Sequence, residues 1–158
     1  MPADFEQLIR HHGARIRRIA SRYADSSSVD DLVQDILVRL WRSYPSFRSD
    51  ARIETWIYRV ALNASMTHVR DSIRERKGQA AMATHAALFS PASTATRSMG
   101  DVLANFLTRL GDIDASILMM YLDGLNADEM NAVLGISANA IGVRINRLKQ
   151  KFAAMYVD

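Results

Sequence analysis

The segment Gly124 to Phe152, GLNADEMNAVLGISANAIGVRINRLKQKF, gathers the side chains best suited to recognition chemistry. Asn139, Asn146, Arg147 and Gln150 recur at helical spacing and share the polar side of one expected helix. Asparagine and glutamine can read a base edge, and arginine can read guanine or hold phosphate. Arg144 and Lys149 suit phosphate positioning. The missing side chain at Gly142 permits close backbone approach, at a cost in helix stability. Covalent chemistry finds no comparable constellation. His11 and His12 adjoin Gly13 on an expected exposed turn, while His68 and His85 stand alone. Asp30, Asp31 and Asp35 share an expected helix without a metal-ligand set, and there is no glycine-rich phosphate loop.

The elements that must position these residues are helical. Asn126 and Glu129 have the spacing of a capping box, with Leu125 and Met130 placed as its hydrophobic staple. That helix should end near Leu134, where Gly135 supplies a permissive turn. Ser137 can cap the next helix, Ile136 and Ile141 can staple it, and Ile141, Ile145, Leu148 and Phe152 form its apolar stripe. Two short helices joined by a glycine-containing turn make a helix-turn-helix, whose second helix enters the major groove near its N-terminal half.

Upstream, Phe5, Leu8, Ile9, Ile16 and Ile19 mark a first helix, weakened at Gly13. Val29, Leu32, Val33, Ile36, Leu37, Leu40 and Trp41 predict a core-facing stripe on a second, which Pro45 ends. A third helix from about Arg52 to Ser72 buries Ile53, Trp56, Ile57, Val60, Ala61 and Ala64. It leaves Thr55, Arg59, Asn63 and Arg70 exposed. Val102, Leu103, Phe106, Leu107 and Leu110 suggest a further helix, and Ile117, Leu118, Tyr121 and Leu122 another. The expected fold is all-α, with two small helical domains over residues 1–77 and 101–158. Residues 78–100, rich in Ala, Ser and Thr, read as a flexible linker in which the alanines favour a short helix.

The net charge of +3 is unevenly spread. Residues 1–77 carry 14 Lys/Arg against 10 Asp/Glu, whereas residues 101–158 carry 5 against 7. Four of those five basic residues fall between Arg144 and Lys151, a local basic helix compatible with DNA contact. The absence of cysteine excludes disulfides and thiolate zinc sites and fits a reducing compartment. No apolar run is long enough to span a membrane, and MPADFEQLIR does not read as a signal peptide.

Two blocks, DLVQDILVRLWRSYPSF followed by TWIYRVALNASMTHVR, and YLDGLNADEMNAVLGISANAIGVRINRLKQKF, resemble the extracytoplasmic-function (ECF) group of the sigma-70 family. The resemblance covers nearly the whole chain. It implies a non-enzymatic, cytoplasmic subunit that takes no cofactor or metal and directs bacterial RNA polymerase to promoter DNA. Carried onto this sequence, it assigns Asp31, Gln34, Asp35 and Arg39 to core-polymerase binding. Thr55, Trp56, Tyr58, Arg59 and Asn63 match the motif that opens and reads the −10 element. Trp56 is expected in the core, while Arg59, Asn63, Met66 and Arg70 are assigned to the −10 strand. Ser137, Asn139, Ala140, Arg144, Asn146 and Arg147 are assigned to the −35 duplex. An anti-sigma partner is also implied. The chain departs from the common family pattern at Thr67 and His68, and at Ala140 and Gly142, where threonine and lysine are frequent. The competing readings are a sigma-like protein that only occupies an anti-sigma partner and a standalone transcriptional regulator.

Overall fold

Helix α1, Ala3–Tyr23, runs unbroken through Gly13. Burial of Phe5, Leu8, Ile16, Ile19 and Tyr23 on one face outweighs the roughly 1 kcal/mol that an internal glycine costs. His11 and His12 therefore lie within a helix, not on a turn. In this computed structural model, residues 3–47, 51–76 and 98–157 are described. Residues 78–97 of the expected linker and His85 lie outside them. The chain divides into two compact units, Met1–Ala83 and Thr84–Asp158. Both are helical, and no strand occurs among the described residues.

In the first unit, α1 leads through a short turn into α2, Val29–Ser43. The Asp25 carboxylate organises that turn, accepting hydrogen bonds from the Ser27 and Ser28 hydroxyls at 2.7 and 2.8 Å. It also accepts from their backbone amides at 3.0 and 2.9 Å. The Ser27 hydroxyl first, then that of Ser28, holds the Asp25 carboxyl below its ordinary value, with slight desolvation opposing them. Arg17 of α1 pairs with Asp30 of α2 at 2.8 Å.

Leu32, Ile36 and Leu40 are the buried positions of α2. Trp41, expected on that stripe, is 41% exposed. It lies on the α1 flank of α2, with its ring edge-to-face on Phe5 at 5.1 Å. A 3₁₀ turn at Tyr44–Ser46 carries Pro45 and ends α2, as expected.

Helix α3, Ile53–Arg76, packs against both α1 and α2. Two neighbours widen its buried arc beyond one stripe. Thr55, expected outside, is thus 1% exposed, and Tyr58, Leu62 and Ser65 join Trp56, Ile57, Ala61 and Ala64 inside. The Ser65 hydroxyl satisfies itself on the Ala61 carbonyl at 2.7 Å. Trp56 lies 4.7 Å from Phe47, sealing the end where α2 turns into α3.

The second unit holds α4 (Met99–Thr108), α5 (Asp112–Leu122), α6 (Ala127–Leu134) and α7 (Ala138–Tyr156). Ser98 and Asp101 form a capping box at the start of α4, so residues 98–100, read as the linker's end, open a helix. Phe106, Leu110, Ile117, Met120, Leu125, Met130, Ile141 and Leu148 make the core. Phe106 meets Phe152 edge-to-face at 5.3 Å, and Asn105 donates to the Tyr156 hydroxyl at 2.8 Å, tying α4 to the end of α7. On α5 the expected stripe is rotated. Ile117 is buried, but Tyr121 and Leu122 are 40% and 50% exposed, and Ala115, Ser116 and Met120 face inward instead.

Candidate nucleic-acid interface

Helices α6 and α7 are positioned by local hydrogen bonds and by the core beneath them. Asn126 accepts from the Glu129 amide at 2.8 Å, and Glu129 accepts from the Asn126 amide at 3.0 Å. Each thus satisfies a backbone donor left free at the helix start. The staple residues Leu125 and Met130 are both buried. Gly135 ends α6 in the left-handed region, at φ 74°, where a side chain would be strained. Its amide donates to Asn131 at 2.8 Å, and the Asn131 side chain donates to the Ile136 carbonyl at 2.7 Å. Ser137 then caps α7, accepting from the Ala140 amide at 3.2 Å.

Ile141 and Leu148 fasten α7 to the core. Asn139, Asn146, Arg147 and Gln150 are exposed. Ser137 serves as a cap, and Ala140 is half-buried. Arg144 turns aside to α5, where its guanidinium pairs with Asp114 at 2.9 Å. Lys149 likewise places its ammonium 5.0 Å over the Tyr121 ring. Two cations expected to position phosphate are therefore engaged with α5, while Arg147 and Lys151 are exposed. A Cβ at Gly142 would meet nothing within 4 Å. Val143, which the periodicity did not single out, is 44% exposed. Its position four residues after Asn139 and four before Arg147 was the available signal.

On α3, the four residues assigned to the −10 strand, Arg59, Asn63, Met66 and Arg70, are all exposed. Their spacing of four, three and four residues forms one continuous stripe. Trp56 and Tyr58, from the same motif, are buried and support the helix. On α2, Asp31 and Gln34 are exposed, while Asp35 and Arg39 are half-buried and paired at 3.2 Å. The exposed apolar side chains Val38 and Trp41 adjoin them, although the helical period alone places Trp41 inside and does not mark Val38. With Phe5, Ile9 and Leu37 they line an open groove of about 420 Å³ between α1 and α2.

Among the described residues, no cluster of three His, Asp or Glu side chains could hold a metal ion. Nor is any helix long and apolar enough to cross a membrane.

Residues 8–75 match the family model for sigma-70 region 2. The chain is 28% identical to the RNA polymerase sigma factor CnrH of Cupriavidus metallidurans, over 96% of this chain and 85% of that one. It is 25% identical to the ECF RNA polymerase sigma-E factor of Escherichia coli, over 92% and 83%. The solved sigma factor RpoE of Bartonella quintana, in complex with the anti-sigma factor NepR, has the same fold. Its TM-score is 0.80 at 20% identity, over 97% of this chain and 96% of that one. CnrH, solved with the cytosolic domain of CnrY, gives a TM-score of 0.63 at 25% identity, over 96% and 86%. Residues 8–75 are thus a sigma-70 region 2 domain, and over nearly its whole length the chain is similar to sigma factors of the ECF family. Members of this family are non-catalytic specificity subunits of RNA polymerase.

Proposed function

We propose that this chain is an alternative sigma factor that binds core RNA polymerase and directs promoter-specific initiation through the −10 and −35 elements. The observation that carries this reading is the presence, in one chain, of two separate DNA-compatible surfaces. One is the stripe Arg59, Asn63, Met66 and Arg70 on α3, and the other is the exposed face of α7.

In this reading, residues 1–77 form the core- and −10-binding domain, 78–100 a flexible linker, and 101–158 a helix-turn-helix domain for the −35 element. Asp31, Gln34, Asp35 and Arg39 contact the polymerase. An unpaired base needs a group that accepts its exposed edge, and its backbone needs cations. Asn63 supplies the first, Arg59 and Arg70 the second, and Met66 an apolar surface. Asn139, Asn146 and Arg147 read the −35 duplex, Ser137 and Ala140 set the start of α7 against it, and Arg144 holds phosphate when released from Asp114. An anti-sigma partner fits this reading, since the relative CnrH is solved in complex with another protein, the cytosolic domain of CnrY.

The test is to add the purified chain to bacterial core polymerase with fragmented genomic DNA and sequence the 5′ ends of the transcripts. Specific starts sharing two upstream elements are expected. Folded protein that yields no specific starts with active core polymerase would favour a sigma-like protein that only occupies an anti-sigma partner.

A further inference from the structure

Val143 sits in the second turn of α7, on its outer face, and is 44% exposed. Asn139 precedes it by four residues, and Asn146 and Arg147 follow by three and four, all exposed. These spacings put the four side chains on one patch. The patch lies opposite the buried residues Ile141 and Leu148 and within the half of the helix that enters a major groove. Helix stability gives no reason for this residue, because a β-branched side chain is a poorer helix former than alanine. Nor does the core, which Val143 does not enter.

The chemistry of the groove supplies a reason. The thymine C5-methyl is the apolar group that a base edge displays in the major groove, whereas the other bases present donors and acceptors. A valine can cover a methyl but can satisfy no donor or acceptor, so it disfavours the polar edges it would desolvate. Its restricted χ1 holds its two methyl groups in place before binding. We propose that Val143 packs on the C5-methyl of one thymine in the −35 duplex and so selects thymine at that position. The inference rests on α7 being the −35 reader. It adds an apolar specificity residue to a surface otherwise read through hydrogen bonds.

The test removes the methyl group alone. Holoenzyme is assembled from the full chain and bacterial core polymerase, and its affinity for a mapped promoter is measured. Each −35 thymine on either strand is replaced in turn by deoxyuridine. At one position the wild-type complex should weaken by about three- to tenfold, the range for burying one methyl-sized group. V143A and V143S should bind the unmodified promoter about that much more weakly and lose the methyl dependence. N139A should weaken binding yet keep it. Uniform indifference to deoxyuridine, full methyl dependence in V143A, or a −35 element without thymine would each overturn the proposal. If scrambling the −35 element leaves wild-type binding unchanged, α7 is not a duplex reader and the broader reading falls as well. Dependence on the −35 sequence without methyl dependence rejects the role of Val143 alone.

Discussion

Asp35 links the paired side of α2 to its proposed partner. It accepts from Arg39 one turn later, so reversing its charge places two like charges at i and i+4. In a helix that costs only a few tenths of a kcal/mol, and the fold should survive. Asp35→Arg is expected to weaken association with core polymerase by about tenfold or more, the scale of a disrupted interfacial charge contact. Fluorescence anisotropy of labelled protein titrated with core polymerase would measure it, and unchanged affinity would remove this face from the interface. Asp25 supports a different expectation, because four of its hydrogen bonds lie within one turn. Its folded carboxyl is depressed, so its stabilisation is present above the ordinary carboxylate range near 3.9 and fades as pH falls through the lowered folded value. Asp25→Ala should lose about 1–2 kcal/mol at pH 7, where charge-assisted hydrogen bonds are intact. The two proteins should converge in acid. Both tryptophans, Trp41 and Trp56, lie in the first unit, so urea unfolding followed by tryptophan fluorescence reads this difference.

At the scale of the element, two glycines of the α6–α7 pair make opposite predictions from the same substitution. Gly135 has φ 74°, and an alanine there incurs the left-handed penalty of about 1–2 kcal/mol. Gly142 is helical with open space around it, and an alanine there should stabilise α7 by about 1 kcal/mol. Amide hydrogen exchange across residues 127–156 should therefore quicken in Gly135→Ala and slow in Gly142→Ala. Equal effects would contradict the turn geometry. A loss of promoter affinity in the more stable Gly142→Ala protein would show that DNA approaches the backbone there.

For the whole molecule, linking two readers makes the second contact intramolecular, and each phosphate contact adds to the salt dependence. Replacing Arg59, Arg70 or Arg144 singly by alanine should each reduce the log–log salt slope of promoter binding by about 1. Asn63→Ala should leave that slope unchanged and alter preference among −10 bases. A slope insensitive to all three arginines would place the phosphate path elsewhere.

Local chemistry was legible in the sequence. The Asn126–Glu129 box, the turn at Gly135, the cap at Ser137 and the stop at Pro45 each depend on partners within a few residues. The helical period marked Leu32, Ile36 and Leu40 for burial, and the exposure of Arg59, Asn63 and Arg70, for the same reason. Other features required the tertiary structure. Thr55 is inside because α3 has two neighbours, and Trp41 is half outside because its flank of α2 borders an open groove. Tyr121 is exposed beside Lys149, and Arg144 finds its carboxylate thirty residues away on α5. Val143 emerges on the reading face once Ile141 and Leu148 fix the rotation of α7. Hydrogen bonds between near neighbours are written in spacing, but burial is a sum over contacts distant in the chain, and only the packed helices decide it.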